Sequence, residues 1–170
     1  MSDAPDPAQP ASHEMPDPAG LARRELPDPA RQAARQARMI QGFLDAIPHM
    51  HALGLAYRGH GDDWAELMLP YAPQLIVDDG VIASGAIFSL MDSAAGFAVF
   101  TRLQSMSGHA TIDLRLDYLH GPEPGVAIVG RAVCYKLTSS VAFVRGVAHQ
   151  GDPDRPLANL AGTFMHGGAA

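Results

Sequence analysis

The residue with the most chemical leverage in this chain is a carboxylate set in an apolar run. From Gly80 to Thr101 the sequence reads GVIASGAIFSLMDSAAGFAVFT, 22 residues in which Asp92 is the only charge. An unpaired charge among apolar neighbours is costly, so such a group is either hydrogen-bonded structure or a working functional group. Gly85 precedes it by seven residues, two helical turns, which places both on one face with Gly85 near the helix start. A helix N-terminus offers free N–H groups and the positive end of a dipole. Donors of that kind can hold a developing oxyanion while a carboxylate attacks a carbonyl or activates water. Ser84 and Ser93 flank the run as packing or capping groups, with no Gly-x-Ser-x-Gly elbow and no His paired to them by spacing.

Other candidates carry less. His49 and His51 stand at i and i+2 without a third ligand at matching spacing, which reads as surface rather than a metal site. Cys134, the single cysteine, reads as a small core residue in mid-strand. His109 and His120 flank one strand and read as loop residues, either of which can face the site. His166-Gly-Gly168 has no helix after it and carries no function. No glycine-rich phosphate loop is present.

The elements that must position Asp92 follow from periodicity. Asp28-Pro29 reads as a helix start, Asp as N-cap and Pro at the first helical position. Met39, Ile40, Phe43, Leu44 and Ile47 then recur at helical spacing, and Pro48 is expected to end the run. Leu55–Tyr57 and Trp64–Leu69 are strand-like, joined by the turn-rich Arg58-Gly-His-Gly-Asp-Asp63, with Trp64 and Met68 as core. The apolar run is long enough to cross a membrane, but its central carboxylate and the strands that follow favour a buried helix from about Ser84. Its small residues, Ala86, Ser89, Ser93, Ala94, Ala95 and Gly96, would let a sheet approach all round. Then the period becomes two: Ile112, Leu114, Leu116 and Tyr118 are expected inside, and Thr111, Asp113, Arg115 and Asp117 outside. Val126–Lys136, Val141–His149 and Leu157–His166 follow as strands with short turns, hence antiparallel. One apolar helix followed by such strands implies an α+β fold, an antiparallel sheet curled around a central helix with a further helix at the N-terminus.

Length and composition set the bounds. One hundred and seventy residues make a single domain, 30–170, preceded by an arm at 1–29. The arm holds three Pro-Asp-Pro copies, at Pro5, Pro16 and Pro27, and six acids against Arg23 and Arg24, so it is expected to be mobile. A net charge of -6 with a single, isolated Lys136 argues against a nucleic-acid surface. The first residues, MSDAPDPAQP, lack the features of a secretory signal and the lone cysteine suits a reducing compartment, so a cytoplasmic, non-membrane protein is expected.

The stretch Gly80–Gly96 resembles the central-helix signature of the hotdog-fold acyl-CoA thioesterases of the PaaI-like branch, His-Gly-Gly followed after six residues by Asp. The resemblance continues through Thr111–Leu119 and Ser140–Val144 to Ala161–Met165, about residues 38 to 166. It implies a hotdog fold and a homodimer, or a tetramer of two dimers, that hydrolyses an acyl-CoA or acyl-carrier thioester without metal or other cofactor. Asp92 matches the catalytic base or nucleophile and Gly85 the glycine whose amide polarises the thioester carbonyl. Thr111 matches a residue that positions water, expected from the partner subunit. Ser84, Ala86, Ser93, Ser139 and Ser140 fall at substrate-binding positions, and the acyl group is expected in a tunnel between the helices of two subunits. Three positions depart from the pattern. Ala83-Ser84 replaces His-Gly, the polar residue earlier in the loop falls near Val77 or Asp78, and Thr138-Ser139 replaces a Gly-Arg or Gly-Lys that would contact CoA phosphate. The alternative reading they raise is a non-catalytic hotdog protein that binds acyl groups or CoA, or serves structure. A hydratase on the same fold needs a His–acid pair that this chain lacks.

Overall fold

The computed structural model describes residues 29–104 and 108–167. The expected arm at 1–29 lies, apart from Pro29, outside the described residues, as does the cap expected at Asp28. Helix α1 runs from Pro29 to Ala46 and α2 from Pro48 to Leu53. The first run ends at Ala46, just before Pro48 as expected, and Pro48 then starts a second helix, taking the first helical position where its missing N–H costs nothing. Strands β1 (Ala56–His60) and β2 (Trp64–Leu69) precede the central helix α3 (Ser84–Leu103), and β3 (His109–Tyr118), β4 (Ile128–Leu137), β5 (Val141–His149) and β6 (Ala158–His166) follow it.

The six strands form one antiparallel sheet in the order β1-β2-β4-β5-β6-β3. This is the hotdog arrangement, with α3 lying in the curl of the sheet, chiefly against β2, β4 and β5. Close approach is possible because the contact is made of small residues. Ala94, Ala95 and Ala98 are fully buried, and Gly130 on β4 leaves room that a Cβ would deny, only 2.9 Å from Leu90 and Met91. Among the described residues α3 is the one helix long and apolar enough to cross a membrane, and most of it is buried inside the sheet. Cys134 is buried as a core residue, and burial raises its thiol pKa.

The covering is not complete all round, contrary to the expectation from composition. Ser84 and Gly85 are exposed, Phe88 is 40% exposed, and Ser89 and Asp92 are half-buried, so one stripe of α3 stays open. Asp92 sits on that stripe rather than deep in the core. Trp64 and Met68 are likewise only half-buried, with the Arg131 guanidinium stacked 3.9 Å over the indole.

Candidate active site

Strand β3 carries a second departure. Register shifts between Thr111 and Asp113, so Ile112 is an extra residue bulged out of the β3–β6 ladder and 56% exposed. The bulge reverses the inside–outside alternation on its N-terminal side. Leu114 and Leu116 remain packed against the core as expected, while Ile112 is put out and Thr111 is turned toward the helix. There the Thr111 hydroxyl donates to Asp92 Oδ1 at 2.9 Å. The contact is made within one chain, because β3 follows α3 and lies beside it. Farther along the strand, Tyr118 donates its hydroxyl to the Ser84 carbonyl at 2.7 Å, tying β3 to the start of α3.

The start of α3 is also held from behind. Ile76 bridges Ile82, the Ala83 amide donates to Leu75, and Tyr71 donates to the Gly80 carbonyl. The N-cap is Ala83, with no side-chain oxygen to take up the first amides. Ala86 and Ile87 donate back to Ala83, but the Gly85 amide has no partner among the described residues. It is an exposed donor at the positive end of a 20-residue helix. A cavity of about 400 Å³ opens beside it, lined by Ser84, Ile87, Tyr118 and His120 among others. His120 thus lies at the N-terminal end of α3, its ring close to the Gly121 carbonyl.

Two residues expected at substrate-binding positions face away from the open stripe. Ala86 is buried, and Ser93 is buried with its hydroxyl donating to the Ser89 carbonyl at 2.7 Å. Both lie on the sheet side of α3, a helical rotation away from the open stripe. Ser139 and Ser140 lie in the exposed β4–β5 turn, which the Thr138 hydroxyl closes by accepting from the Val141 amide and donating to its carbonyl. The Ser140 carbonyl accepts from the His166 amide.

Three histidines take places that spacing did not reveal. His49, read as surface, puts a ring nitrogen 3.0 Å from the Ser89 hydroxyl, a Ser–His pairing one turn before Asp92. His109 faces His166 across the β3–β6 ladder and packs edge-on against Phe100, ring centroids 4.2 Å apart. His166 is buried, and neither of its ring nitrogens has a hydrogen-bond partner among the described residues; nor does His109 Nδ1. Burial lowers the His109 pKa, against the upward pull of the Asp92 charge and with a smaller downward push from His166. His166 is therefore not an idle tail residue. A pairing between strand ends far apart in sequence is what would have exposed it.

Known families and structures share the fold that carries these residues. A model of the thioesterase superfamily matches residues 79–157, from the loop before α3 to the end of the β5–β6 turn. A protein of known structure from Pseudomonas aeruginosa is 38% identical, covering 78% of this chain and 97% of that one, with a TM-score of 0.70. This chain belongs to the thioesterase superfamily. It is also 27% identical over 151 aligned positions to the medium/long-chain acyl-CoA thioesterase YigI of Escherichia coli K12, covering 79% of this chain and 96% of that protein. The phenylacetic acid degradation protein PaaI of Thermus thermophilus shares the fold, with a TM-score of 0.62 at 24% identity over 70% of this chain and 98% of that one. A thioesterase therefore has to be read from an open carboxylate–hydroxyl pair and a free helix-terminal amide, without the imidazole the family signature places at Ala83.

Proposed function

We propose that this protein hydrolyses acyl-CoA thioesters in the cytoplasm, at a site completed by two copies of the chain. The observation that carries the reading is the Thr111–Asp92 hydrogen bond on the open stripe of α3. With Oδ1 engaged by Thr111, the second carboxylate oxygen is left to take a proton from water, and the Thr111 oxygen can accept a hydrogen bond from that same water. The resulting hydroxide adds to the thioester carbonyl, the oxyanion is held by a backbone amide, and collapse of the adduct expels the CoA thiolate. The proton on Asp92 returns to the thiolate, giving carboxylic acid, thiol and the regenerated carboxylate.

Helix geometry supports the two-copy part. Seven residues at 1.5 Å each separate Gly85 from Asp92 by about 10 Å along α3, whereas both groups must lie roughly 3 Å from one reacting carbonyl. An amide and a carboxylate that serve the same thioester therefore come from two antiparallel α3 helices, Gly85 of one copy facing Asp92 of the other. Strand β3, a sheet edge with no outer strand among the described residues, is the surface through which two copies would join.

The test is subunit mixing. Gly85→Pro deletes the amide donor at a first-turn position where proline is tolerated, and Asp92→Asn deletes the base. Each variant alone should be inactive in an acyl-CoA assay that detects free thiol. Unfolding the two together and refolding them should restore about a quarter of wild-type activity, because half of randomly paired dimers carry one intact site of two. No recovery, from dimers confirmed as mixed, would place donor and base in the same chain. Absence of wild-type turnover across chain lengths, together with saturable acyl binding, would favour the non-catalytic reading that Ala83 and Thr138-Ser139 raise.

A further inference from the structure

Strand β3 runs back along α3 and touches it at matched intervals. Asp92 and Gly96 are one helical turn apart, about 6 Å along the axis. Thr111 and His109 are two strand residues apart, about 6.6 Å. Thr111 meets Asp92 and His109 meets Gly96, so strand and helix are in step across these two positions. The second contact is one of shape. Gly96 is buried and has no side chain to fill its place, and the His109 imidazole fills it. A Cβ built at Gly96 would stand 2.8 Å from His109 Nε2, closer than packed atoms allow. Phe100, one further turn along α3, meets the ring edge-on with centroids 4.2 Å apart, and Phe164 of β6 meets it tilted at 5.5 Å. His166 stands opposite on β6.

We propose that His109 is a positioning residue for the hydrolysis: seated in the Gly96 notch, it fixes where β3 lies along α3 and so holds the Thr111 hydroxyl on Asp92. The proposal rests on the thioesterase reading above. The β3–β6 ladder alone does not set Thr111, because its register shifts directly after that residue, at the Ile112 bulge. A bulged strand bends and twists locally, so this segment needs a fixed point on the helix side, and the seated ring supplies one. Polar bonds do not hold the ring there, since Nδ1 is buried with no hydrogen-bond partner among the described residues. Burial lowers its pKa, against the pull of the Asp92 charge and with a smaller push from His166, so at neutral pH the ring is uncharged and suits a place among phenyl rings. With Phe100 and Phe164 on two sides, a ring displaced from the notch takes its strand with it. A working carboxylate–hydroxyl pair tolerates displacements of only about 0.5 Å, and Thr111 is two residues from that anchor.

The experiment measures kcat and KM on acyl-CoAs from butanoyl to dodecanoyl in Gly96→Ala, His109→Ala and His109→Gln, each made in the wild-type chain and in Thr111→Val. Alanine suits a helix interior better than glycine, so Gly96→Ala strains only the His109 contact, and His109→Ala empties the notch without touching the helix. Each should lower kcat about tenfold, the scale of the Thr111 hydrogen bond it disturbs, with KM within about twofold of wild type. His109→Gln places a neutral amide at the reach of Nε2 and should restore most of kcat. In Thr111→Val none of the three should lower kcat further, because the bond that His109 positions is already gone. A kcat that survives both alanine variants, each folded by circular dichroism, overturns the proposal. So does a loss that repeats at full size in Thr111→Val, or a His109→Gln as slow as His109→Ala. If wild type turns over no acyl-CoA, the thioesterase reading fails on its own, and crystal structures of wild type and the two alanine variants decide the positioning. A Thr111–Asp92 separation widened in both variants supports it; an unchanged separation overturns it.

Discussion

At the β1 edge of the sheet, Gln41 of α1 lays its side-chain amide across the strand, donating to the Leu55 carbonyl at 3.0 Å and accepting from the Tyr57 amide at 2.8 Å. At the β3 edge, a ten-residue strand turns the backbone groups of alternate residues outward, and among the described residues only β6 pairs with it, on its inner side. A free edge of that length invites another strand, so proteins that remain single copies usually bend, shorten, charge or cover it. Here one edge is covered, while the other is long, unpaired on its outer side among the described residues, and adjacent to the carboxylate. One sheet thus has an edge finished by its own chain and an edge that no described strand pairs, and the candidate site belongs to the second.

Four substitutions probe that contrast. Asp92→Asn should have the largest effect, lowering kcat at least a hundredfold, the scale of a lost general base, with size-exclusion mass unchanged at twice 18.0 kDa. A loss of mass instead would make Asp92 part of the open edge's assembly rather than its chemistry. Thr111→Val keeps the shape and removes the hydroxyl; kcat should fall roughly tenfold, the scale of one hydrogen bond to a charged group, with little change in melting temperature. At the closed edge the signature should invert. Gln41→Leu orphans the β1 backbone groups and should cost about 1–3 kcal/mol of unfolding free energy, read by denaturant titration, while kcat stays near wild type. An effect on kcat there would mean that the edges are not separable.

The smallest effect concerns pH. Burial holds the His109 pKa below its ordinary value, so near pH 6 the unfolded chain binds a proton that the folded chain resists. That contribution to stability is complete above about pH 6.5, the unfolded histidine value, and is lost as pH falls through the lower folded value. His109→Asn should flatten the acid side of a stability-versus-pH curve. A residual slope of the same sign remains from His149, whose pKa burial also lowers. An unchanged curve in His109→Asn would show that the Asp92 charge offsets the burial.

Much of this molecule was legible before its fold was known, because local patterns carry local consequences. The central helix and its first residue near Ser84 follow from an apolar run of small residues, and the strands from period-two alternation. Asp92 was conspicuous for a reason that holds in any fold, a charge among apolar neighbours. What misled was alternation itself. Ile112 is apolar and in phase with Leu114 and Leu116, so a regular strand would bury it; one bulged residue puts it out and aims Thr111, itself exposed, at Asp92. Pro48 ends one helix as its ring requires, and the same ring is well suited to begin the next, which spacing alone did not show.

The remaining parts of the site arise between elements. His49 meets Ser89 across 40 positions of sequence, and His109 meets His166 because β3 and β6 are neighbours in the sheet although β4 and β5 come between them in the chain. Ala86 and Ser93 follow Gly85 and Asp92 in sequence, and a helix of 3.6 residues per turn rotates each about 100° from that neighbour, onto the buried face. Residue types and spacing alone determined that this chain has one apolar helix bearing one carboxylate, and strands enough to wrap it. Only the tertiary structure decided which side of that helix is left open, which hydroxyl meets the carboxylate, and which sheet edge stays free. Those outcomes depend on register and packing between distant segments, where a shift of one residue exchanges inside for outside.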